Sequence, residues 1–265
     1  MDLSEQLAGV IPGDLIRDFS GRFDVVGDIA IVKLSSGLQK YDQIIAAAIV
    51  NHRHGIRTVA KKIAKVTGDF RTARYAVIRG KSTVTTHREY GFSYCLDLNT
   101  SFFNPRLAQE RRRVTGQVRP GEKVFVPFCG VGPFVIPAAA RGASVVAMER
   151  NPDACRFLNE NIRKNRVGDR VTVLAGDAFN PGLLPLAEFD RAIIPTPYGR
   201  DHSLKVIVSR VRHEGIVHFY TFKNREQSNM LEKEFEKTGY RVLSRHRCGN
   251  VAPAVSRWVF DLLIP

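Results

Sequence analysis

Lys123-Val-Phe-Val-Pro-Phe-Cys-Gly-Val-Gly-Pro133 is the stretch that decides the fold. Its first half reads as a buried strand. Gly130-Val-Gly132 turns the chain and feeds it into a helix of small residues over 134–141. The same rhythm continues downstream. Residues 144–149 form a second strand. Asn151 is a good N-cap and Pro152 a good first helical residue. The helix they open runs to Asn165, with Ala154, Leu158 and Ile162 on one face. Strands follow over 171–177, 189–194 and 215–222, with helices expected over 202–212 and 226–238. Residues 240–243 and 258–264 are strands with no helix between them, so they pair antiparallel. Alternating strands and helices with a reversed end predict a doubly wound α/β sandwich with a mainly parallel sheet.

Upstream of residue 100 the pattern is mixed. Phe23-Asp-Val-Val-Gly-Asp-Ile-Ala-Ile-Val-Lys33 reads as a hairpin turning at Gly27-Asp28. Residues 41–51 read as a helix, and Arg57-Thr-Val-Ala-Lys-Lys-Ile63 as a strand or short helix. Residues 83–87 and 92–98 alternate as paired strands around Glu89-Tyr90-Gly91. The expected organisation is a small α+β domain over 1–100 and the sandwich over 101–265.

The chain has 265 residues and a formal charge of +14, with 40 Lys and Arg against 26 Asp and Glu. Most of that excess, 26 basic against 16 acidic residues, lies in 101–265. A chain this basic points to a polyanionic partner, and nucleic acid is the usual one. Hydrophobic residues make up 44% and charged residues 25%, which excludes wholesale disorder and low-complexity scaffolds. No apolar stretch approaches the ~20 residues of a membrane span, and the acidic, mixed N-terminus does not read as a signal peptide. Cys95, Cys129, Cys155 and Cys248 are scattered without a CxxC pair, which suggests neither a zinc site nor a disulfide framework. A cytoplasmic setting and a monomer are expected.

In a doubly wound sheet, ligands lie outside the carboxyl ends of the strands. Three features fall there. Gly130-Val-Gly132 lets the backbone approach a ligand. Glu149 ends the second strand and can accept ribose hydroxyls. Asp177, in Ala175-Gly-Asp-Ala178, can hold the edge of an adenine. A dinucleotide would need a third glycine where Val135 stands, behind Pro133-Phe134. A nucleoside cofactor without a pyrophosphate fits better, namely S-adenosylmethionine (SAM).

The chain resembles the archaeal and eukaryotic tRNA guanine-37 N1-methyltransferases and their relatives, the wybutosine-synthesising aminocarboxypropyltransferases. Phe23-Asp-Val-Val-Gly-Asp28, Gly68-Asp-Phe-Arg71, Phe103-Asn-Pro-Arg-Leu-Ala-Gln-Glu-Arg111, Phe128-Cys-Gly-Val-Gly-Pro-Phe134, Glu149-Arg-Asn-Pro152, Gly176-Asp177 and Val251-Ala-Pro253 carry the resemblance. It implies a Rossmann-like, SAM-dependent methyltransferase sandwich behind a small RNA-contacting domain, with tRNA as partner. It implies that Glu110 handles the guanine proton and that Arg71 helps to hold the target base. The cofactor set it implies is Arg111, Phe128, Gly130, Gly132, Glu149, Arg150, Asp177, Ala178 and Pro195. Without the resemblance, Glu110-Arg111-Arg112-Arg113 reads as a solvated helix face. Phe102, Phe103 and Tyr198 are candidates to stack on a base.

Two positions depart from the family pattern. After the fourth strand the methyltransferases have Asn-Leu-Pro, whereas this chain has Pro195-Thr-Pro197. The amide suited to a guanine edge is therefore missing, as it also is in the aminocarboxypropyltransferases. The acid that closes the first strand in the family is Val126 here, which removes a group that orders the glycine loop. The resemblance implies methyl transfer from SAM, with aminocarboxypropyl transfer as the alternative and a non-catalytic RNA-binding paralogue as a further one.

Overall fold

The computed structural model describes residues 3–17, 19–67 and 72–265. The chain divides into two compact units, Met1–Pro105 and Arg106–Pro265.

In the first unit, helices α1 (Leu3–Leu7) and α2 (Gly13–Ile16) precede strands β1 (Asp24–Val26) and β2 (Ile29–Val32). These strands pair antiparallel around Gly27, whose φ of 59° suits the tight turn. Helix α3 (Asp42–His52) crosses over to β3 (Thr58–Thr67), which runs parallel to β2, and β4 (Thr72–Arg79) completes a sheet of order β1-β2-β3-β4. Ile45, Ala46 and Ile49 of α3 are fully buried with Leu38, Val59 and Leu7. Strands β5 (Val84–Glu89) and β6 (Phe92–Asp97) form a separate antiparallel hairpin.

The second unit opens on α4 (Ala108–Thr115) and continues through β7 (Lys123–Pro127), α5 (Val135–Ala140), β8 (Ser144–Glu149), α6 (Pro152–Lys164), β9 (Val171–Ala175), β10 (Phe189–Ile194) and α7 (Ser203–Ile207). It ends with β11 (Val211–Lys223), α8 (Arg225–Lys237), β12 (Arg241–Ala252) and β13 (Val255–Leu263). The sheet order is β12-β13-β11-β10-β7-β8-β9, with β7 to β11 parallel, β13 antiparallel to β11, and β12 antiparallel to β13 and so aligned again with β11. The chain lays β8 and β9 on one side of β7 and β10 and β11 on the other. The topological switch point, where such sheets bind ligands, therefore lies at the carboxyl ends of β7 and β10. Caps fix the helices as read. The Asn151 side chain accepts from the amides of Asp153 and Ala154, and Asn224 with Gln227 forms a capping box on α8.

Four expectations need correction. The helix expected over 202–212 is only α7 plus a 3-10 turn at Val208–Arg210, because β-branched Val211 already pairs with Phe189 of β10. Strand β11 accordingly starts at Val211 rather than at residue 215, with a register irregularity opposite residues 189–191. Strand β9 stops at Ala175, leaving Gly176-Asp177 in the loop beyond it. The final hairpin extends over 241–252 and 255–263 instead of two short strands. Its Arg245-His-Arg247 run shows no apolar alternation because β12 is an exposed sheet edge.

Candidate active site

The glycine loop leaves β7 through Phe128, whose φ of 53° is left-handed without being glycine. Such an outlier is kept only where the surroundings hold it. Here the Phe128 ring lies 4.9 Å from that of Phe179, which in turn lies 4.6 Å from His202. Gly130 and Gly132 follow with φ of 55° and 95°. A Cβ on Gly132 would stand 2.6 Å from Leu158 Cδ1 and 3.3 Å from Ile136 Cδ1. Gly132 therefore lets α6 pack against the loop, and any side chain there would push the two apart.

Glu149 ends β8 and closes on this loop. Its Oε2 accepts from the Gly130 amide at 2.8 Å, and its Oε1 accepts from the amides of Arg150 at 2.9 Å and Asn151 at 2.8 Å. The loop-ordering acid that is missing at Val126, a fully buried core residue, is thus supplied from the neighbouring strand. Each carboxylate oxygen has two acceptor positions. Oε1 is filled, and one position on Oε2 is left for a ligand hydroxyl. Asp177 accepts from Arg150 Nη1 at 3.0 Å and from the Phe179 amide at 3.0 Å, one bond on each oxygen. Ala178 beside it is buried.

After β10, Pro195 opens a loop in which Thr196 is buried. The Thr196 hydroxyl lies 3.0 Å from Ser203 Oγ and 3.3 Å from the Ile194 carbonyl oxygen. Thr196 therefore does not replace the missing amide. Tyr198 is exposed, its ring 5.1 Å from that of Phe222.

The solvated-face reading of 110–113 holds for Arg112, which is exposed, but not for Glu110, Arg111 and Arg113. Helix α4 lays those charges onto the sheet, and Arg111 is only 3% exposed. Arg113 donates through Nε to Glu110 Oε2 at 2.9 Å and through Nη2 to Glu110 Oε1 at 2.8 Å. Its Nη1 donates to Asp261 Oδ2 at 2.6 Å. Tyr220 donates its hydroxyl to Glu110 Oε1 at 2.9 Å. Burial and the Glu110 carboxylate push the Tyr220 phenol well above its ordinary value, so it stays a donor. On the far side, Asp261 Oδ1 faces His218 Nδ1 at 2.6 Å, and Arg191 Nη1 faces His218 Nε2 at 2.8 Å. Arginine can only donate, so His218 accepts at Nε2 and carries its proton on Nδ1. Arg191 then forks onto Glu122 at 2.8 and 3.0 Å. The result is one row, Tyr220-Glu110-Arg113-Asp261-His218-Arg191-Glu122, with its charges alternating in sign. Sequence reasoning found only Glu110 of it. The other members come from five separate segments, and only the pairing of His218 with Asp261 across β11 and β13 brings them together.

The row reaches the glycine loop, because the Phe134 ring lies 5.6 Å from Tyr220. Gly130, Gly132 and Glu149 lie together at the end of β7, with Arg150 and Asp177 paired beside them, and Glu110 is linked to the end of the loop only through Tyr220 and Phe134. Arg71 lies outside the described residues. Phe102 and Phe103 belong to the first unit, where Phe103 meets the rings of His87 and Tyr94. The four cysteines are free. Burial pushes the Cys129 thiol well up and Cys155 to about 11, so neither offers a thiolate beside the loop. Among the described residues no cluster of His, Cys, Asp or Glu could hold a metal ion, and no helix is long and apolar enough to cross a membrane.

Residues 85–245 match the TRM5/TYW2 methyltransferase domain, and residues 3–83 match the TYW2 N-terminal domain. The tRNA (guanine(37)-N(1))-methyltransferase Trm5b of Pyrococcus abyssi is 34% identical over 89% of this chain and 74% of its own. The tRNA(Phe) (4-demethylwyosine(37)-C(7)) aminocarboxypropyltransferase of Pyrococcus horikoshii is 28% identical over 99% of this chain and 96% of its own. Several eukaryotic guanine-37 methyltransferases are matched over only about a third of their length. Among solved structures, the complex of aTrm5 and tRNALeu has a TM-score of 0.86 at 26% identity, covering 100% of this chain and 78% of that one. TYW2 of P. horikoshii in complex with MeSAdo has a TM-score of 0.80 at 28% identity, covering 98% and 97%. With its fold, its loop and more than half of its length in agreement, the chain belongs to the TRM5/TYW2 family of SAM-dependent, tRNA-modifying transferases.

Proposed function

We propose that the chain is a tRNA-modifying enzyme that acts on guanosine 37 of the anticodon loop, transferring the SAM methyl group to N1. The observation that supports this reading is the ring contact between Phe134, at the end of the glycine loop that Glu149 latches, and Tyr220, whose hydroxyl holds Glu110. SAM supplies an already activated carbon, so the protein's task is to align the acceptor and to take its proton. Gly130 and Gly132 let the cofactor approach the backbone. The open position on Glu149 Oε2 takes a ribose hydroxyl. Asp177, paired with Arg150 and followed by buried Ala178, takes the adenine amino group. Arg111 holds the α4 end of the site, Phe128 walls the loop, and Pro195 closes the β10 side. Arg113 and Tyr220 fill three of the four acceptor positions of Glu110. The fourth, on Oε2, is where the guanine N1 proton goes. Arg71 holds the target base, a role that rests on the family resemblance. The reacting base leaves its stack to reach such a site.

Aminocarboxypropyl transfer is the second reading, and three observations favour it. The N-terminal unit matches the TYW2 form, the match to the aminocarboxypropyltransferase spans nearly both chains, and neither Pro195 nor Thr196 offers a side chain to a guanine edge. SAM labelled separately in its methyl group and in its aminocarboxypropyl chain decides between them. Methyl label entering tRNA with unmodified guanosine 37 is the expected result. Chain label entering only tRNA that carries 4-demethylwyosine establishes the second reading. If neither label reaches any RNA although SAM binds, a small-molecule enzyme or a non-catalytic RNA-binding paralogue is left.

A further inference from the structure

A groove of about 560 Å3 opens between the start of α8 and the β12-β13 hairpin, lined by Arg225, Arg245, Arg247, Asn250, Ser256 and Trp258. Neither the cofactor site nor the charge row uses any of these residues. Arg245 lies 5.3 Å from the Trp258 ring and is neutralised by Glu232 at 2.9 Å. Arg225 and Arg247 are exposed and have no carboxylate partner among the described residues. Arg247 donates through Nε to Ser256 Oγ at 2.8 Å and through Nη2 to Asn250. Those two bonds fix the plane of its guanidinium and leave three of its five N–H groups open. An oriented arginine fork with open donors is suited to a phosphate.

The hairpin tip forms the rim of the groove. Ala254 follows Pro253 with φ of 57°, a conformation that a turn normally gives to glycine. The Pro253-Ala254 turn closes the hairpin between the paired Ala252 and Val255, so the rim of the groove is a tight, fixed turn. The location is informative as well. Lys223, the end of β11, pairs with Ser256, so the groove lies on the same sheet edge as the glycine loop. Three strand spacings separate β13 from β7, or roughly 15 Å.

We infer that this groove binds backbone phosphate of the RNA strand flanking the base under modification, and so sets the register in which that base reaches the loop. This rests on the reading of the substrate as tRNA. Phosphate contacts of this kind position a nucleic acid without reading its sequence.

Trp258 is the chain's single tryptophan, so fluorescence excited at the red edge, where tyrosine does not absorb, reports on the groove. Adding an anticodon stem-loop RNA should change that fluorescence, and the Arg225→Gln/Arg247→Gln double variant should lose the change. In filter binding, the double variant should flatten the dependence of log affinity on log salt by about 1.4–1.8, near 0.7–0.9 per lost phosphate contact. SAM affinity, read by calorimetry, should stay as in the wild type, because no cofactor residue lines the groove. RNA retained on filters with silent Trp258 fluorescence and an unchanged salt slope overturns the groove and leaves the tRNA reading standing. A double variant that weakens SAM equally overturns it too, since the effect is then structural. Failure of the wild-type chain to bind tRNA at low salt overturns the tRNA reading itself.

Discussion

Arg113→Ala should lower the melting temperature by roughly 6–20 °C. Arg113 is the one cation between two carboxylates, and Asp261 is 3% exposed. Removing one partner of a buried ion pair costs about 3–5 kcal/mol, because the remaining charge has lost both water and its counter-ion. Each kcal/mol moves the midpoint of a domain this size by about 2–4 °C. Differential scanning calorimetry reads the outcome, and a shift below about 2 °C would mean that the row relaxes freely. The functional effect has a separate signature. Glu110 would keep Tyr220 but lose both N–H bonds from Arg113, and with them its fixed orientation. Turnover should therefore fall while SAM affinity holds, since Arg113 touches no cofactor residue.

The same row gives the protein an acid-sensitive arm. Burial alone would raise the Asp261 carboxyl, but hydrogen bonds from His218 and Arg113 outweigh it and hold the group well below the usual carboxylate range. Burial pushes the His218 imidazole down, Asp261 opposes that shift, and the Arg191 and Arg113 charges reinforce it. Both groups thus take up a proton less readily in the folded chain than in the unfolded one. The unfolded state binds more protons as pH falls, so stability is lost toward acid. The loss begins below about pH 6.5, where an unfolded histidine titrates, and deepens below about pH 4, where an unfolded aspartate does. Melting scans from pH 8 to pH 4 test this. A midpoint that does not move between pH 7 and pH 5 would show that His218 carries no penalty.

Legibility in the sequence followed the type of signal. The sandwich was readable because its buried strands are continuous apolar runs and α6 carries its own cap at Asn151-Pro152. The glycine loop and Glu149 were readable because such sheets put function at strand ends, a positional rule that needs no tertiary knowledge. The interior of α4 was not. Four consecutive charges at 110–113 look solvated to any reading of periodicity, and the partner that draws Arg113 inward, Asp261, lies more than a hundred residues downstream. The Val126 departure removes a group that orders the glycine loop, and its counterpart was not legible: Glu149, read as a ribose acid, also accepts from the Gly130 amide. The long β12-β13 hairpin was hidden because an edge strand rich in arginine keeps no apolar face to betray it.

On the proposed function Glu149 has two tasks, the latch and a ribose contact, and one substitution separates them. Glu149→Ala removes the acceptor of three backbone amides, at Gly130, Arg150 and Asn151. Hydrogen bonds to a charged group are worth about 1.5–3 kcal/mol. The ligand-free chain should therefore melt several degrees lower, with the loss concentrated in the loop and the start of α6. Hydrogen exchange at the Gly130 and Asn151 amides should accelerate. Affinity for SAM should also fall, by about 1.5–3 kcal/mol or roughly 10- to 150-fold, through the lost ribose contact. Glu149→Gln sharpens the test. Its amide oxygen can still accept from one side of the latch, but it carries no charge for a ribose hydroxyl and turns an N–H2 toward backbone donors. It should recover part of the melting temperature and little of the affinity. Calorimetric titration of both variants decides the matter. A lowered melting temperature with unchanged affinity makes Glu149 a latch alone and moves the ribose contact elsewhere. An unchanged melting temperature with lost affinity means that the three amides find other acceptors when the cofactor is away.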